Sequence, residues 1–409
     1  MAAIIYFYQM RLFFFFVCML TTTTVSAQLT LSGKVVEEGS GEPLSYANIV
    51  IKSKGTGVST NLDGFFTLYG IPSDTSLIQF SYVGYEIKEI AYNQVSGKKI
   101  IMLSPLSTSL NEVVIQADAS NYINVQEGVS KARLSTKQIT TLPSVGEVDI
   151  FRSLQLLPGV SGTNESSSGL YVRGGTPDQN LVLLDGMTVY KVDHFFGFFS
   201  AFNANAIKDV QLFKGGFPAK YGGRTSSVVD LTGKTGSFEK LGGSAGVNFL
   251  SANAMIEVPV GNKFSILLAG RRSFTDIIQS DLYKSITGKF VDDDQQFRNL
   301  NFNELEPDFY FYDWNAKMSF RPSDKDLISL STYNGKDFLD QSRDLLRVID
   351  FGSNIPERHV TIDVIEKTDW GNKGASLKWS RQWNSIWYSN LLLAGSEYFS
   401  NYAIDGIFQ

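Results

Sequence analysis

The sequence predicts a mainly β protein in three parts: an N-terminal β-sandwich, a small α+β domain, and an incomplete antiparallel transmembrane β-barrel. Three observations predict it. From Leu29 to Leu103, turn residues recur about every 8–12 positions between alternating apolar residues. Between Ile150 and Leu231, one segment of helical period stands among short apolar runs, and from Leu241 the apolar period becomes two. The composition agrees, with 36 glycines against 11 prolines and 13% aromatic residues, as tight turns and pleated surfaces require. Mean hydropathy is near zero. A barrel is compatible with that value, because its strands alternate lipid-facing and lumen-facing residues.

Residues 1–27 have the layout of a secretory signal peptide: Arg11, the apolar stretch Leu12 to Leu20, then Val25-Ser26-Ala27 before Gln28. The apolar stretch is far short of the ~20 residues that a spanning helix needs. The mature chain is therefore expected to begin at Gln28. Cys18 is the only cysteine and lies inside this stretch, so no disulfide or thiol chemistry is expected after processing. Phe15-Phe16-Val17 lacks the small residues of a lipoprotein signal. The net charge is −5 with no basic stripe, which argues against a nucleic-acid partner.

Residues 28–103 read as seven short strands: LTLSGKVV, ANIVIKSK, GVSTNL, FFTLYGI, SLIQFSYV, YEIKEIAY and KKIIML. Asp63-Gly64 reads as a tight turn, because glycine tolerates the positive φ of a hairpin corner. Asp63 has no carboxylates at metal-ligand spacing that would make it a calcium or catalytic residue. The runs SGKVVEEGSGEPLSYANIVIK, GVSTNLDGFFTLYGI and FSYVGYE resemble the carboxypeptidase-regulatory-like domain that precedes many outer-membrane receptors. That resemblance implies a soluble periplasmic module with no activity of its own.

Residues 104–127 form a linker. Within it, Glu112-Val113-Val114-Ile115 makes a good strand with no nearby partner, open to recognition by strand addition. Its position and letters resemble the TonB box, where the periplasmic energy transducer TonB grips a receptor. The plainer reading is that it forms a last strand of the sandwich, although Leu103 already ends a seventh strand and Pro105 interrupts the sheet.

Residues 128–235 carry four ordered motifs: LPGVSG, YVRGGTPDQNLVLLDGM, IKDVQLFKGGFPAKYGGR and SSVVDLTGK. Ile150, Leu154 and Leu157 fall on one face of a helix that Pro158-Gly159 stops. Strands are expected at 171–175, 181–186, 207–213 and 227–231, the second buried on both faces because its apolar run 181–184 does not alternate. Together the motifs resemble the plug domain of TonB-dependent outer-membrane receptors, which closes the lumen of a large barrel. The resemblance implies that Arg173, Gly174, Gly175 and Arg224 make plug–barrel contacts, the arginines meeting wall carboxylates; otherwise they are surface arginines beside flexible turns. His194, Phe195, Phe196, Phe198 and Phe199 form an aromatic stripe that could floor a ligand site or simply pack. Gly233-Lys234-Thr235 lacks the upstream glycine of a phosphate-binding loop and reads as a strand end.

Residues 236–409 read as the N-terminal part of a barrel with about seven strands, at 241–250, 253–260, 263–271, 313–321, 326–334, 373–383 and 386–398. Short connections (Gly261-Asn262, Pro322 to Lys325, Asn384-Ser385) alternate with long polar ones (272–312, 335–372), the rhythm of periplasmic turns and external loops. Asp292-Asp293-Asp294 lacks the glycine and glutamate of an EF-hand and reads as a solvated loop. A barrel that holds a plug of ~110 residues needs about 22 strands, so roughly 170 residues after the plug cannot close one. The chain is therefore expected to be truncated at its C-terminus relative to such a receptor.

No HExxH, GxSxG or Cys/His pair supports an enzyme, and no cofactor or metal site is expected. The expected function is TonB-dependent active transport of an unidentified ligand across the outer membrane. The expected partners are TonB, outer-membrane lipid and that ligand. The alternative is an outer-membrane-anchored interaction or signal-sensing receptor without transport. The plug letters look less like the glycan-importing branch that pairs with a surface lipoprotein, and such a lipoprotein stays open as a partner.

Overall fold

The computed structural model describes residues 29–106, 130–135, 139, 148–162, 169–194, 197, 199–284, 307–349 and 358–408. The expected signal peptide, most of the linker with residues 112–115, Phe195, Phe196, Phe198 and Asp292 to Asp294 lie outside them.

The seven strands of the N-terminal domain are β1 (Leu29–Glu37), β2 (Asn48–Ile51), β3 (Thr56–Ser59), β4 (Phe65–Ile71), β5 (Leu77–Ser81), β6 (Lys88–Ala91) and β7 (Ile100–Leu103). They form two sheets, ordered β4-β1-β7 and β3-β2-β5-β6, with β1 and β7 parallel and the other pairs antiparallel. A single-turn helix, α1 (Tyr92–Val95), follows β6. Alternation drives the packing: Ile49 and Ile51 of β2 and Ile78 and Phe80 of β5 are buried against Val35, Phe66 and Leu68 of the other sheet. Phe66 meets Phe80 edge-on across the gap at 5.9 Å. This buried cluster draws only on residues 31–103.

Asn61 to Gly64 makes the expected turn, with Gly64 N donating to Asn61 O at 3.1 Å. Gly64 has φ +79°, and a Cβ there would lie 2.6 Å from Val35 O and 3.1 Å from Pro43 Cβ. Gly64→Ala is expected to cost about 1–3 kcal/mol, through left-handed strain with no room to relax. Urea unfolding of the purified chain checks this, and an unchanged midpoint would show that the turn can re-form.

The second domain contains β8 (Lys131–Ser135), α2 (Ile150–Gln155), β9 (Val160–Ser161), β10 (Tyr171–Val172), β11 (Asn180–Leu184) and β12 (Met187–Thr188). It continues through β13 (Asp193–His194), β14 (Phe199–Ser200), β15 (Ile207–Phe213) and β16 (Ser227–Gly233). Its main sheet runs β12-β11-β16-β15-β8 and is mixed, as expected, because β11 and β16 are parallel. Asp149 caps α2, accepting from Arg152 N at 3.0 Å. Ile150, Leu154 and Leu157 are all buried on the sheet. β11 differs from expectation: Asn180, Val182 and Leu184 are buried, while Leu181 and Leu183 are half-buried. Only one face of the sheet meets the core, so the unbroken apolar run overstated the burial of the other.

The third part is one antiparallel meander: β17 (Gly242–Val247), β18 (Ser251–Val260), β19 (Phe264–Ser273), β20 (Asp308–Phe320), β21 (Asp326–Asp340), β22 (Arg343–Ile349), β23 (Arg358–Gln382) and β24 (Tyr388–Phe408). Neighbours pair in sequence order, except that β21 and β24 flank β23, with β22 beside its N-terminal half. The sheet is open between β17 and β24 in the described residues. The strands run much further than expected at the long-connection end, where β23 begins at Arg358 and β22 is additional. Within β23, Val360, Ile362 and Val364 alternate with polar residues, a period-two signal inside what reads as a long connection.

Alternation within the band gives the sheet two unlike faces. Ile256, Leu268, Met318, Leu330 and Leu377 are exposed on one. Ser265, Arg271, Asp313, Lys317, Ser319, Ser331 and Ser376 are buried on the other, where the α+β domain sits. Aromatic residues ring the short-turn end: Phe264 stacks on Phe320 at 4.2 Å, and Trp379, Trp383 and Trp387 lie exposed beside the 383–387 turn. An apolar outer band with an aromatic girdle and a polar interior is the construction of a membrane barrel wall. Among the described residues, no helix is long and apolar enough to cross a membrane.

Candidate functional site: the plug–wall boundary

The α+β domain meets the wall through polar contacts at three levels. At the first, Asp185 and Gly186 form the turn between β11 and β12 with φ of +49° and +85°. This left-handed pair thrusts the Asp185 carboxylate toward β20. Lys317 Nζ reaches both its oxygens at 3.0 Å and Gly233 O at 3.1 Å, while Gly233 N donates to Asp185 Oδ1 at 3.1 Å. Burial alone would raise the Asp185 pKa, but the Lys317 charge and these hydrogen bonds hold it below the usual carboxylate range. Ser319 Oγ donates to Thr235 O at 2.9 Å one step along the wall.

The second level is the side of the domain facing β23 and β24. Asn372 Oδ1 accepts from Tyr190 N at 3.0 Å and Lys191 N at 3.1 Å, and its Nδ2 donates to Lys191 O at 2.7 Å. Thr188 N donates to Ser396 Oγ at 3.1 Å.

The third level is the hairpin β13–β14. His194 is 2% exposed, with Nδ1 2.7 Å from Asp337 Oδ2 and Nε2 3.6 Å from Asp313 Oδ2. Its ring stacks on Phe311 with centroids 4.3 Å apart. Arg271 Nε donates to Asp313 Oδ2 at 2.7 Å, and its Nη2 reaches Ser200 O at 2.7 Å. Tyr333 OH donates to Ala201 O at 2.8 Å. Burial would lower the His194 pKa, but Asp337 and Asp313 outweigh it and push it up to about 9. Two carboxylates thus face two cations, a balanced set that keeps buried charge compensated.

His194 and Phe199 are both buried in the boundary, Phe199 among Phe309, Phe311 and Trp370. Arg173 and Arg224 are exposed at the opposite end of the β16 sheet from Gly233. Arg224 Nη1 donates to Gly223 O at 3.0 Å, and Arg173 Nη1 lies 3.4 Å from Ser130 Oγ. Gly174 turns the chain with φ +86°, and Gly175 packs against Ser226 of the same domain. Wall contacts in the described residues include those of Asp185, Thr188, Tyr190, Lys191, His194, Ser200 and Ala201. Asp185 was visible within the LDG motif. Its partner could have been suspected, since alternation places Lys317 on the inward face, where a charge needs a counter-charge. Among the described residues, no group of three or more His, Cys, Asp or Glu side chains could hold a metal ion.

A family model described as the CarboxypepD_reg-like domain matches residues 31–115, and one described as the TonB-dependent receptor plug domain matches residues 127–229. The first match runs past Leu103 and across residues 112–115. A TonB-dependent receptor of Formosa agariphila is 26% identical over 293 residues, covering 67% of this chain and 27% of the relative. The TonB-dependent receptor SusC of Bacteroides thetaiotaomicron is 26% identical over 257 residues, covering 58% of this chain and 24% of the relative. The chain thus spans about a quarter of the length of the curated relatives it matches. Among solved structures, the siderophore receptor PirA from Acinetobacter baumannii aligns with 69% of this chain and 45% of its own, at 15% identity and a TM-score of 0.39.

Proposed function

We propose that this chain, which belongs with the TonB-dependent receptors, supplies the plug and part of the wall of a plug-gated outer-membrane importer: a ligand binds above the plug, TonB pulls from the periplasm, and the plug yields a path. One observation carries the reading. The plug's main apolar cluster takes only Tyr333 from the wall; beside two small apolar contacts, at Phe199 and Ala206, the plug is held through hydrogen bonds and ion pairs. Polar boundaries can exchange partners with water and re-form, as a removable stopper requires; a fused hydrophobic core would resist separation. A scaffold that only displays loops needs no such boundary. Arg173 and Arg224 remain candidates for wall carboxylates outside the described residues. The test is growth of a strain lacking the gene, on limiting ferric citrate, on soluble starch and on a peptide digest. Loss of growth on one medium, restored by the gene, is expected; normal growth and uptake on all three would remove the transport reading.

Residues 112–115 are the proposed TonB-binding strand. Val114→Pro is expected to abolish uptake while leaving the amount of protein in the outer membrane unchanged. Proline removes a backbone donor from the strand that TonB would pair with and fixes φ. Normal growth of the variant on the medium that requires the gene would place the coupling segment elsewhere.

A further inference from the structure

We infer that the N-terminal sandwich is a second closure of the barrel, docked under its periplasmic rim by an Asp63 latch, and that it must undock before cargo can leave. The inference rests on the transport reading above. Asp63 is 5% exposed, although it sits on a hairpin turn where a carboxylate would normally be solvated. Three wall side chains surround it: Lys378 Nζ at 2.8 Å from Oδ1, with Ser380 Oγ at 2.6 Å and Tyr388 OH at 2.9 Å from Oδ2. Lys378 and Ser380 lie on β23 and Tyr388 opens β24, on either side of the short turn at the rim. Tyr69 OH donates to Ser385 O of that turn at 2.9 Å.

The same face of the sandwich also holds the plug. Arg133 of β8 pairs with Asp209 of the plug at 2.6 Å and donates to Ser45 O at 2.6 Å, while Gln211 bonds the Tyr46 hydroxyl. Glu42 Oε1 accepts from Thr235 N at 2.8 Å, and Ser40 O accepts from Phe238 N at 2.7 Å, both where the plug passes into the wall. A body that bridges rim, plug and plug–wall junction on the short-turn side stands across the exit. These contacts are nearly all polar, and the sandwich's buried apolar cluster includes no plug or wall residue. It can therefore leave as a folded unit, as domains with polar interfaces do. A buried ion pair fixes geometry without adding much net affinity, which suits a latch that must open.

The test uses Asp63→Cys with Ser380→Cys, in membranes of cells making the whole protein. Oxidised, the pair is expected to cross-link and to abolish growth on the medium that requires the gene, with recovery on adding dithiothreitol; each single variant should grow. A complete cross-link with unimpaired growth would overturn the inference, as would failure to cross-link. In a second arm, Ser380→Cys alone should be shielded from a periplasmic maleimide, and adding Asp63→Ala should speed its labelling at least several-fold. Equal labelling in the two would show that the latch does not hold the sandwich. If the unmodified protein supports growth on none of the three media, the transport reading fails, and this closure fails with it.

Discussion

Lys317→Met is expected to loosen the plug more than any other single change in the wall. Lys317 is buried and is the cation that compensates Asp185, itself held in place by a left-handed turn. Removing the lysine leaves the carboxylate inside the lumen with only neutral donors, Gly233 N and the Ser331 hydroxyl. Breaking one side of a buried pair costs about 3–5 kcal/mol, because the other charge stays buried and uncompensated. Removing both charges costs far less, so Lys317→Met combined with Asp185→Leu should recover most of the loss. Protection of the plug from trypsin in the purified protein is the measurement. If the single and double variants are digested at the same rate, the pair is not what holds this level of the boundary.

How far the fold was legible depended on where its partners lay in the sequence. The seven sandwich strands and α2 could be read because their pattern is local: Ile49 and Ile51 alternate within one strand, and Ile150 and Leu154 share a helix face. The strand extensions around Asp340 to Ile349 and Arg358 to Asn372 were passed over, since their mixed apolar and polar letters look like loop until pairing with neighbouring strands fixes the register. The boundary residues were harder still. His194 meets Asp337 across 143 residues, and Asp63 meets Lys378 across 315. A turn aspartate and a turn aspartate that latches two domains have the same local letters. What the sequence did carry was half of each contact: charges on inward-facing wall positions, whose need for a partner is a matter of electrostatics even when the partner is unknown.

His194 should make the apex of the plug sensitive to alkaline pH. It faces Asp337 and Asp313 on the wall, with Arg271 bound to the same Asp313 and the Phe311 ring stacked on its imidazole. Its pKa is raised from 6.5 to about 9, so the folded state favours the imidazolium. A raised pKa stabilises the fold fully below the unfolded value near 6.5, and that contribution is lost as pH rises through about 9. A shift of this size corresponds to about 3 kcal/mol at acid pH. Above that pH, the hairpin β13–β14 no longer presents a cation to Asp337 and Asp313 and should detach from the wall. His194→Gln removes the titration, so the variant should be weaker near neutrality while losing this pH-linked change. Urea midpoints from about pH 6 to pH 10 for both proteins give the comparison, since shared tyrosine and lysine titrations cancel in the difference. Parallel profiles would mean that His194 does not titrate in the boundary and that Arg271 and Tyr333 hold the apex without it.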